Sequence, residues 1–244
     1  MKNKLSYRHF LKLTVLILGV SFSPVAEAAV FNLDAVDSGW YHITGNHTAS
    51  INNYFTGICG SGCPQNPGDH RSFFVFDVTS ISDEIISATL NLFNPSYNST
   101  DASEDLSIYD VTTSIADLTG TSTTDTAIFD DLGTGTLYGS RTVLAGDTGV
   151  TIVITLNTAA LTDLNNASGL FAFGGALTSL SSSGPEYIFG NSEDGFRRLT
   201  IETRDPVQQN PNPPSSSEVP EPSSLLLAGM GLFLAFFGKK KIEV

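Results

Sequence analysis

Two cysteines lie close together in the segment Cys59-Gly60-Ser61-Gly62-Cys63, and the 244-residue chain contains no others. In an oxidising compartment two such thiols are expected to form one disulfide, because the glycines permit the tight turn that the bond geometry requires. The alternatives are a zinc site completed by His47 or His70, and a redox pair, which usually has two intervening residues rather than three. We predict a structural disulfide, which the chain-entropy model values at about 2 kcal/mol.

Hydrolytic chemistry needs two carboxylates at a defined separation, or a nucleophile with its base. The chain has 25 Asp plus Glu, but their placement in the sequence singles out no pair. No Gly-x-Ser-x-Gly turn occurs, and His42, His47 and His70 are expected to be exposed in turn-rich segments. Asp77 is expected to pair with Arg71 or with a loop amide. We therefore predict no catalytic residue and no enzymatic activity.

Acidic and amide side chains cluster in three segments that are predicted to be loops, Asp101–Asp105, Asp125–Asp131 and Asn191–Asp194. Oxygen ligands of this kind suit calcium, although none of the three segments has the twelve-residue helix–loop–helix pattern. One structural calcium is therefore a hypothesis, with ordinary solvated loops as the alternative. The sequence assigns no metal ligand and no other cofactor.

Sugar-binding sites commonly combine exposed aromatic rings with amide and carboxylate partners for the hydroxyls. Trp40 and Tyr41, in the segment Ser38-Gly39-Trp40-Tyr41-His42, are candidate glycan contacts, as are Tyr54 or Tyr97 in Asn-rich segments. The alternative for Trp40 is burial in the core, as for most single tryptophans.

The chain has no lysine between Lys12 and Lys239. Residues 29–214 contain five arginines against 21 Asp plus Glu, a formal net charge of −16. A surface this acidic repels nucleic acid and anionic membranes. Neither is expected as a partner of this part of the chain.

Short runs rich in β-branched and aromatic residues predict strands along most of the same region. In Ser87–Phe93, for example, Ala88, Leu90 and Leu92 share one face. The other predicted strands are Arg71–Val78, Leu106–Val111, Val150–Leu156, Leu170–Phe173, Glu186–Phe189 and Arg198–Thr203. Two short helices are predicted, one at Thr158–Asn166 with Thr158 as its N-cap and one near Ser114–Leu118. We predict an all-β fold, an antiparallel β-sandwich of jelly-roll type.

The N-terminus has the organisation of a secretory signal peptide over residues 1–28. Four basic residues precede the apolar run Leu13–Val20, and Ala26-Glu27-Ala28 fits the small-residue cleavage pattern. The mature protein is therefore predicted to start at Ala29 and to contain a folded domain at 29–204. Residues 205–218 are rich in proline and serine, which predicts an extended linker.

The last segment, 219–244, ends in the apolar run Leu225–Phe237 followed by Lys239, Lys240 and Lys241. As a helix, the 13 residues of this run cover roughly 20 Å, whereas a bilayer core is about 30 Å thick. A C-terminal hydrophobic helix of this length spans a membrane only marginally. The lysines are expected to stay on the cytoplasmic side.

The order Val219-Pro220-Glu221-Pro222, apolar run, then three lysines resembles the PEP-CTERM sorting signal of Gram-negative bacteria. The resemblance covers about the last 25 residues. It implies that an exosortase, a membrane protease, recognises Pro220, Glu221 and Pro222 while the lysines hold the tail in the inner membrane. It further implies an exported protein that passes through an inner-membrane intermediate to the cell surface or the medium. The apolar run then serves to present the motif and need not be a permanent anchor.

A second resemblance rests on Arg71–Val78 followed by Ile85–Phe93. These segments are similar to the core of DNRLRE-type surface domains, which implies a sandwich fold like that of carbohydrate-binding modules but no agreed activity. Together the two resemblances favour a non-enzymatic surface or matrix protein associated with exopolysaccharide or biofilm. The alternative is an extracellular carbohydrate-active hydrolase.

Overall fold

The β-branched and aromatic runs of the sequence form strands in the computed structural model, which describes residues 28–61, 67–181, 184–192 and 195–204. The strands are β1 (Val30–Asp34), β2 (Asp37–His42), β3 (Asn46–His47), β4 (Tyr54–Cys59), β5 (Gly68–Asp77), β6 (Ile85–Asn94), β7 (Tyr97–Asn98), β8 (Ser103–Asp110), β9 (Ser122–Thr123), β10 (Leu137–Leu144), β11 (Val150–Thr155), β12 (Leu170–Leu177), β13 (Glu186–Ser192) and β14 (Arg197–Thr203). The α-helices are α1 (Ile115–Leu118), α2 (Thr126–Asp131) and α3 (Thr158–Asn166), and a 3-10 helix covers Ala145–Asp147.

Two antiparallel sheets form the sandwich. The first sheet has the strand order β1-β14-β6-β11. The second sheet has the order β10-β8-β12-β5-β4-β13-β7, and β2 also pairs with β5. A short ladder between β3 and β9 makes a third, two-stranded sheet. The predicted all-β antiparallel sandwich is confirmed.

The position of strand β5 between two hydrophobic cores explains why its sequence is almost continuously apolar rather than alternating. Phe74 and Phe76 are fully buried in the main core between the two sheets. Phe73 and Val75 point to the other side and are fully buried in a second core with Leu118 of α1 and other residues. Because α1 and α2 cover the outer side of this part of the sheet, both sides of the strand are apolar.

Local hydrogen bonds fix the starts of two helices. The Ser114 hydroxyl accepts a bond from the Asp117 backbone N–H at 3.2 Å, at the start of α1. The Asn157 side chain accepts bonds from the N–H groups of Ala159 and Ala160, at 3.0 and 3.1 Å. The two predicted helices are confirmed, but the N-cap of α3 is Asn157 and not Thr158.

Other elements differ from the sequence-based expectations. Strands β1, β2, β4 and β10 and the two-residue strands β3, β7 and β9 were not among those predicted, and Asp125–Asp131, predicted to be a loop, contains α2. In β4, Gly57 has φ of 113°, and a Cβ atom there would lie 2.2 Å from the backbone oxygen of Glu186. This position therefore needs glycine, a residue that usually interrupts a strand and weakens its sequence signal.

The predicted signal peptide cleavage site, linker and C-terminal helix lie outside the described residues, apart from Ala28 and Ala29 at the start of the first described segment. Among the helices that the structure does describe, none has the length and hydrophobicity needed to cross a bilayer.

Candidate functional site

Trp40 of β2 is half-buried, and its ring is held from two sides. The indole N–H donates to Asn53 Oδ1 at 2.8 Å. The ring also meets the His70 ring edge-on, with a centroid separation of 4.8 Å. A fixed and partly exposed indole is what a sugar-stacking residue requires, so Trp40 stays a candidate glycan contact.

Tyr41, another candidate glycan contact, is fully buried. Its hydroxyl donates to the backbone oxygens of Asp117 and Leu118, at 3.2 and 3.1 Å, and its ring stacks on His47 at 4.6 Å. Burial, together with the negative charges of Asp125 and Asp117, raises the pKa of Tyr41 to about 12. The expectation of an exposed ring is wrong for Tyr41, because strand alternation turns it toward the second core beneath α1.

The two other tyrosines named from the sequence also have structural contacts. Tyr54 is fully buried, and its hydroxyl donates to the Phe93 backbone oxygen at 2.6 Å, so the expectation of an exposed ring is wrong for Tyr54 as well. Tyr97 is half-buried, and its hydroxyl donates to the Asp101 backbone oxygen at 2.8 Å.

His42, His47 and His70 are each only 4% exposed, so the expectation that they lie at the surface is wrong. Burial is the main reason that the pKa of His70 falls to about 4, with the neighbouring His42 adding to the effect. Burial also lowers the pKa of His47, against a hydrogen bond to the Trp40 backbone oxygen. The rings of His47 and His70 are therefore neutral at neutral pH.

Four aromatic side chains, one from each of the strands β13, β4, β5 and β2, contact one another in a row along the second sheet. The ring centroids of Tyr187 and Phe55 are 4.7 Å apart, and those of Phe55 and His70 are 4.9 Å apart. His70 in turn contacts Trp40 at 4.8 Å. Tyr187, at one end, is half-buried, and its hydroxyl accepts a bond from Asn98 Nδ2 at 2.9 Å. The sequence did not single out Tyr187, because its contacts come from strands far away in the chain.

Arg71 and Asp77, which the sequence suggested as a pair, have separate partners. The Arg71 guanidinium donates to the backbone oxygens of Phe129 and Asp130 at the end of α2, at 3.0 and 3.1 Å. Asp77 accepts bonds from the N–H and hydroxyl of Thr79, at 2.9 and 2.5 Å, and these bonds lower the pKa of its carboxyl. The loop-amide alternative for Asp77 is confirmed.

Three carboxylates meet where β8 and β13 begin. Asp101, Glu104 and Glu186 each place a carboxylate oxygen within 4.8 Å of the other two. Glu104 and Glu186 are fully buried, whereas Asp101 is exposed. Glu104 accepts bonds from the hydroxyls of Ser99, at 2.6 Å, and Ser179, and Glu186 accepts bonds from the N–H, at 2.6 Å, and the hydroxyl of Ser181. We call these three residues the carboxylate cluster.

The carboxylate cluster only partly follows the three predicted acidic segments. It takes Asp101 and Glu104 from the first segment, but its third member is a strand residue far along the chain. Asp105 is not part of it, and its carboxylate accepts a bond from the Thr142 hydroxyl at 2.7 Å.

The second acidic segment lines an open groove of about 530 Å³ between α1 and α2. Asp131 does not project freely there. Burial alone would raise the pKa of its carboxyl, but bonds from the hydroxyls and N–H groups of Thr112 and Thr113 outweigh that effect and lower it. In the third segment, the side chains of residues 191–194 lie outside the described part of the chain.

Cys59 is buried at the end of β4 and is disulfide-bonded, so it offers no free thiolate to zinc. Cys63 lies outside the described residues, and its pairing with Cys59 stays a prediction. The sorting residues Val219, Pro220, Glu221, Pro222, Lys239, Lys240 and Lys241 also lie outside them.

Two solved structures resemble the fold distantly. The K1 cleaved adhesin domain of Lys-gingipain from Porphyromonas gingivalis W83 is 11% identical, with 73% of this chain and 95% of that chain covered and a TM-score of 0.31. The CBM22-1–GH10 modules of the Clostridium thermocellum xylanase 10B, complexed with xylohexaose, are 12% identical, with 70% and 28% covered and a TM-score of 0.27. Likenesses this distant say nothing about what this chain binds or does.

No curated protein matches the chain in sequence. The resemblance to DNRLRE-type domains is not confirmed. Residues 218–241, however, match the model of the PEP-CTERM protein-sorting motif. This confirms the interpretation of the C-terminal tail, and it implies processing by an exosortase and export through a membrane intermediate. The chain is therefore an exported protein that carries the PEP-CTERM sorting motif of exosortase substrates.

Proposed function

We propose that the folded domain is a non-enzymatic module that binds polysaccharide at the cell surface or in the extracellular matrix, in association with exopolysaccharide or biofilm. Export and the sorting motif support the location. Trp40 supports the binding role, because its ring is partly exposed and is held by Asn53 and His70. An aromatic ring that is already fixed loses little conformational entropy when it stacks on a sugar.

The test is retention of the mature protein on the exopolysaccharide of the producing bacterium, measured by affinity electrophoresis with and without calcium. We expect saturable retention and no release of reducing sugar. Release of reducing sugar would instead support the alternative, a carbohydrate-active hydrolase. Absence of retention under both conditions would contradict polysaccharide binding while leaving the sorting interpretation unaffected.

We also propose that the carboxylate cluster holds one structural calcium. Two fully buried carboxyl groups and a third lie within 4.8 Å of one another, and the two buried groups accept hydrogen bonds from uncharged serine groups. Buried charge of one sign is costly unless a counter-ion accompanies it. Carboxylate oxygens are the ligands that calcium prefers.

Calcium at a large excess over its dissociation constant is expected to raise the Tm of the mature protein by about 5–10 °C, because a ligand that binds the folded state stabilises it. The E104Q and E186Q variants should lose this rise, because each removes one negative ligand. D105N serves as the matched control, since Asp105 lies nearby outside the cluster. An unchanged Tm with calcium and with chelator would contradict the proposal.

A further inference from the structure

The outer side of the first sheet presents an ordered set of polar side chains. Along its strands the apolar residues point into the core, where Leu90, Leu92, Leu199, Ile201, Ile152 and Ile154 are buried. Their neighbours point outward because side chains alternate along a strand. The polar outward residues together with Val153, which we call the polar face, are Asn32, Asp34, Ser87, Thr89, Asn91, Thr151, Val153, Thr155, Arg198, Thr200 and Glu202. Val30 and Phe93 point outward at its margin. All of them are half-buried or exposed.

The register of the strands sets the polar face in rows. One row runs Asn32, Thr200, Thr89 and Thr155 across the four strands. The next row runs Asp34, Arg198, Asn91 and Val153. Adjacent strands are about 4.8 Å apart, so each row places hydroxyl and amide groups at regular intervals on one surface.

Hydrogen bonds hold the centre of the polar face in place. Asn91 Nδ2 lies 3.2 Å from the hydroxyl oxygens of both Thr89 and Thr200. The Thr200 hydroxyl in turn donates to Asn32 Oδ1 at 2.9 Å. Side chains ordered in this way lose little further freedom when a ligand binds.

The chemistry of the polar face excludes several classes of partner. Its single arginine, Arg198, is paired with Asp34 at 2.8 Å, so the face offers no positive charge to nucleic acid or to an anionic polymer. It also lacks the tryptophan, tyrosine and unpaired arginine anchors typical of protein interfaces. What it offers is mainly hydroxyl and amide groups, with the Glu202 carboxyl bonded by the Ser87 hydroxyl and with few apolar groups beside them: exposed Val30 and Val153 and half-buried Phe93. A neutral partner with many hydroxyl groups fits this chemistry.

We propose that the polar face is the surface on which a neutral, hydroxyl-rich polysaccharide chain lies. The inference rests on the proposed polysaccharide-binding function and gives it a specific location and ligand charge. Threonine hydroxyls and asparagine amides can both donate and accept, as sugar hydroxyls do. The overall acidity of the domain supports a neutral glycan over an anionic one.

The test compares variants of the mature protein by affinity electrophoresis in a neutral and an anionic polysaccharide of the producing bacterium. The T151A/T155A variant removes two exposed hydroxyls from the edge strand β11. We expect it to bind the neutral polymer about tenfold more weakly. The matched control, T123A/T124A, removes two exposed hydroxyls away from the polar face and should bind like the wild type. W40A tests the other candidate surface.

The outcomes separate the surface from the function. Weakened binding by T151A/T155A with normal binding by the control supports the polar face. If the wild type is retained and T151A/T155A is retained equally well, the polar face is overturned but the proposed function stands. Loss of retention in W40A alone would then place the binding site at Trp40. Retention on the anionic polymer only would overturn the ligand charge. Failure of the wild type to bind either polymer overturns the function and the surface together.

Discussion

Replacing Arg71 with alanine is expected to lower the free energy of unfolding by about 3–4 kcal/mol. The guanidinium makes two hydrogen bonds to backbone oxygens at the end of α2, at 3.0 and 3.1 Å. Its central carbon also lies 4.2 Å from the centroid of the Phe129 ring. A cation at the C-terminal end of a helix is favourable as well, because the helix dipole is negative there.

The surroundings of Arg71 show how closely α2 depends on it. A Cβ atom at Gly133 would lie 2.5 Å from the Arg71 guanidinium carbon, so a larger residue there would push the guanidinium out of its present position. Helix α2 supplies Ile128 and Phe129 to the second core. Loss of the Arg71 contacts is therefore expected to loosen the cover over one side of β5 as well as the helix end.

The measurement is urea-induced unfolding of R71A against wild type at neutral pH. R141A is the matched control, because Arg141 is 46% exposed and lies 3.9 Å from its carboxylate partner, Asp147. Such a surface pair contributes about 0–1 kcal/mol. R71K keeps the charge but loses the planar guanidinium group with its several N–H donors, so its free energy of unfolding should lie between those of R71A and the wild type. Equal losses in R71A and R141A would show that Arg71 does not hold α2.

The strands and helices with a strong local pattern were predictable from the sequence. In β6, alternating apolar residues predicted the buried side, and Ala88, Leu90 and Leu92 all lie in the main core. The helix at 158–166 was predictable because Leu161 and Leu164 recur at helical spacing, and Leu164 is buried. These signals depend only on residues within one turn or a few strand positions of each other.

The residues that the sequence misplaced depend on contacts between distant segments. The polar segment around Tyr41 predicts an exposed aromatic residue. In the structure its hydroxyl bonds to α1, which lies more than 70 residues further along the sequence. The three histidines likewise become buried because aromatic residues from other strands surround them, as Phe55 does for His70. Composition near a residue does not report which segment will cover it.

The candidate sites show the same limit. Glu104 and Glu186 are brought together only when β8 and β13 take their places in the second sheet, and Glu186 lay in a predicted strand rather than in an acidic loop. The polar face could be read residue by residue within β6, but its rows require the register across four strands. Long-range pairing, which local patterns do not encode, creates both sites.

Acidification from pH 7 to pH 4.5 is expected to lower the free energy of unfolding by about 2–3 kcal/mol through His70 alone. The pKa of His70 is about 4 in the folded protein, against its ordinary value of 6.5, mainly because the ring is buried. The unfolded chain therefore binds a proton in this interval that the folded chain does not. The stabilising contribution of neutral His70 is complete above pH 6.5 and is lost as the pH falls toward 4.

Other groups modify this profile in known directions. His47 has a lowered pKa as well and adds to the loss over the same interval. Burial raises the pKa of Asp69, so protonation of this carboxyl at acidic pH partly offsets the loss. The lowered pKa of Asp131 matters only below its ordinary value of 3.8. The interval between pH 7 and pH 4.5 is therefore governed by the two histidines.

The H70F variant separates His70 from the other groups, because phenylalanine retains a ring beside Trp40 and Phe55 but cannot take up a proton. H70F also loses the 2.8 Å bond to the Gly68 backbone oxygen, so it is expected to be less stable than wild type at pH 7. Its free energy of unfolding, measured in urea at both pH values, should fall by about 2–3 kcal/mol less than that of wild type. If both proteins lose the same amount, the acid sensitivity of the domain arises elsewhere, and the imidazole is not held neutral by its burial in this core.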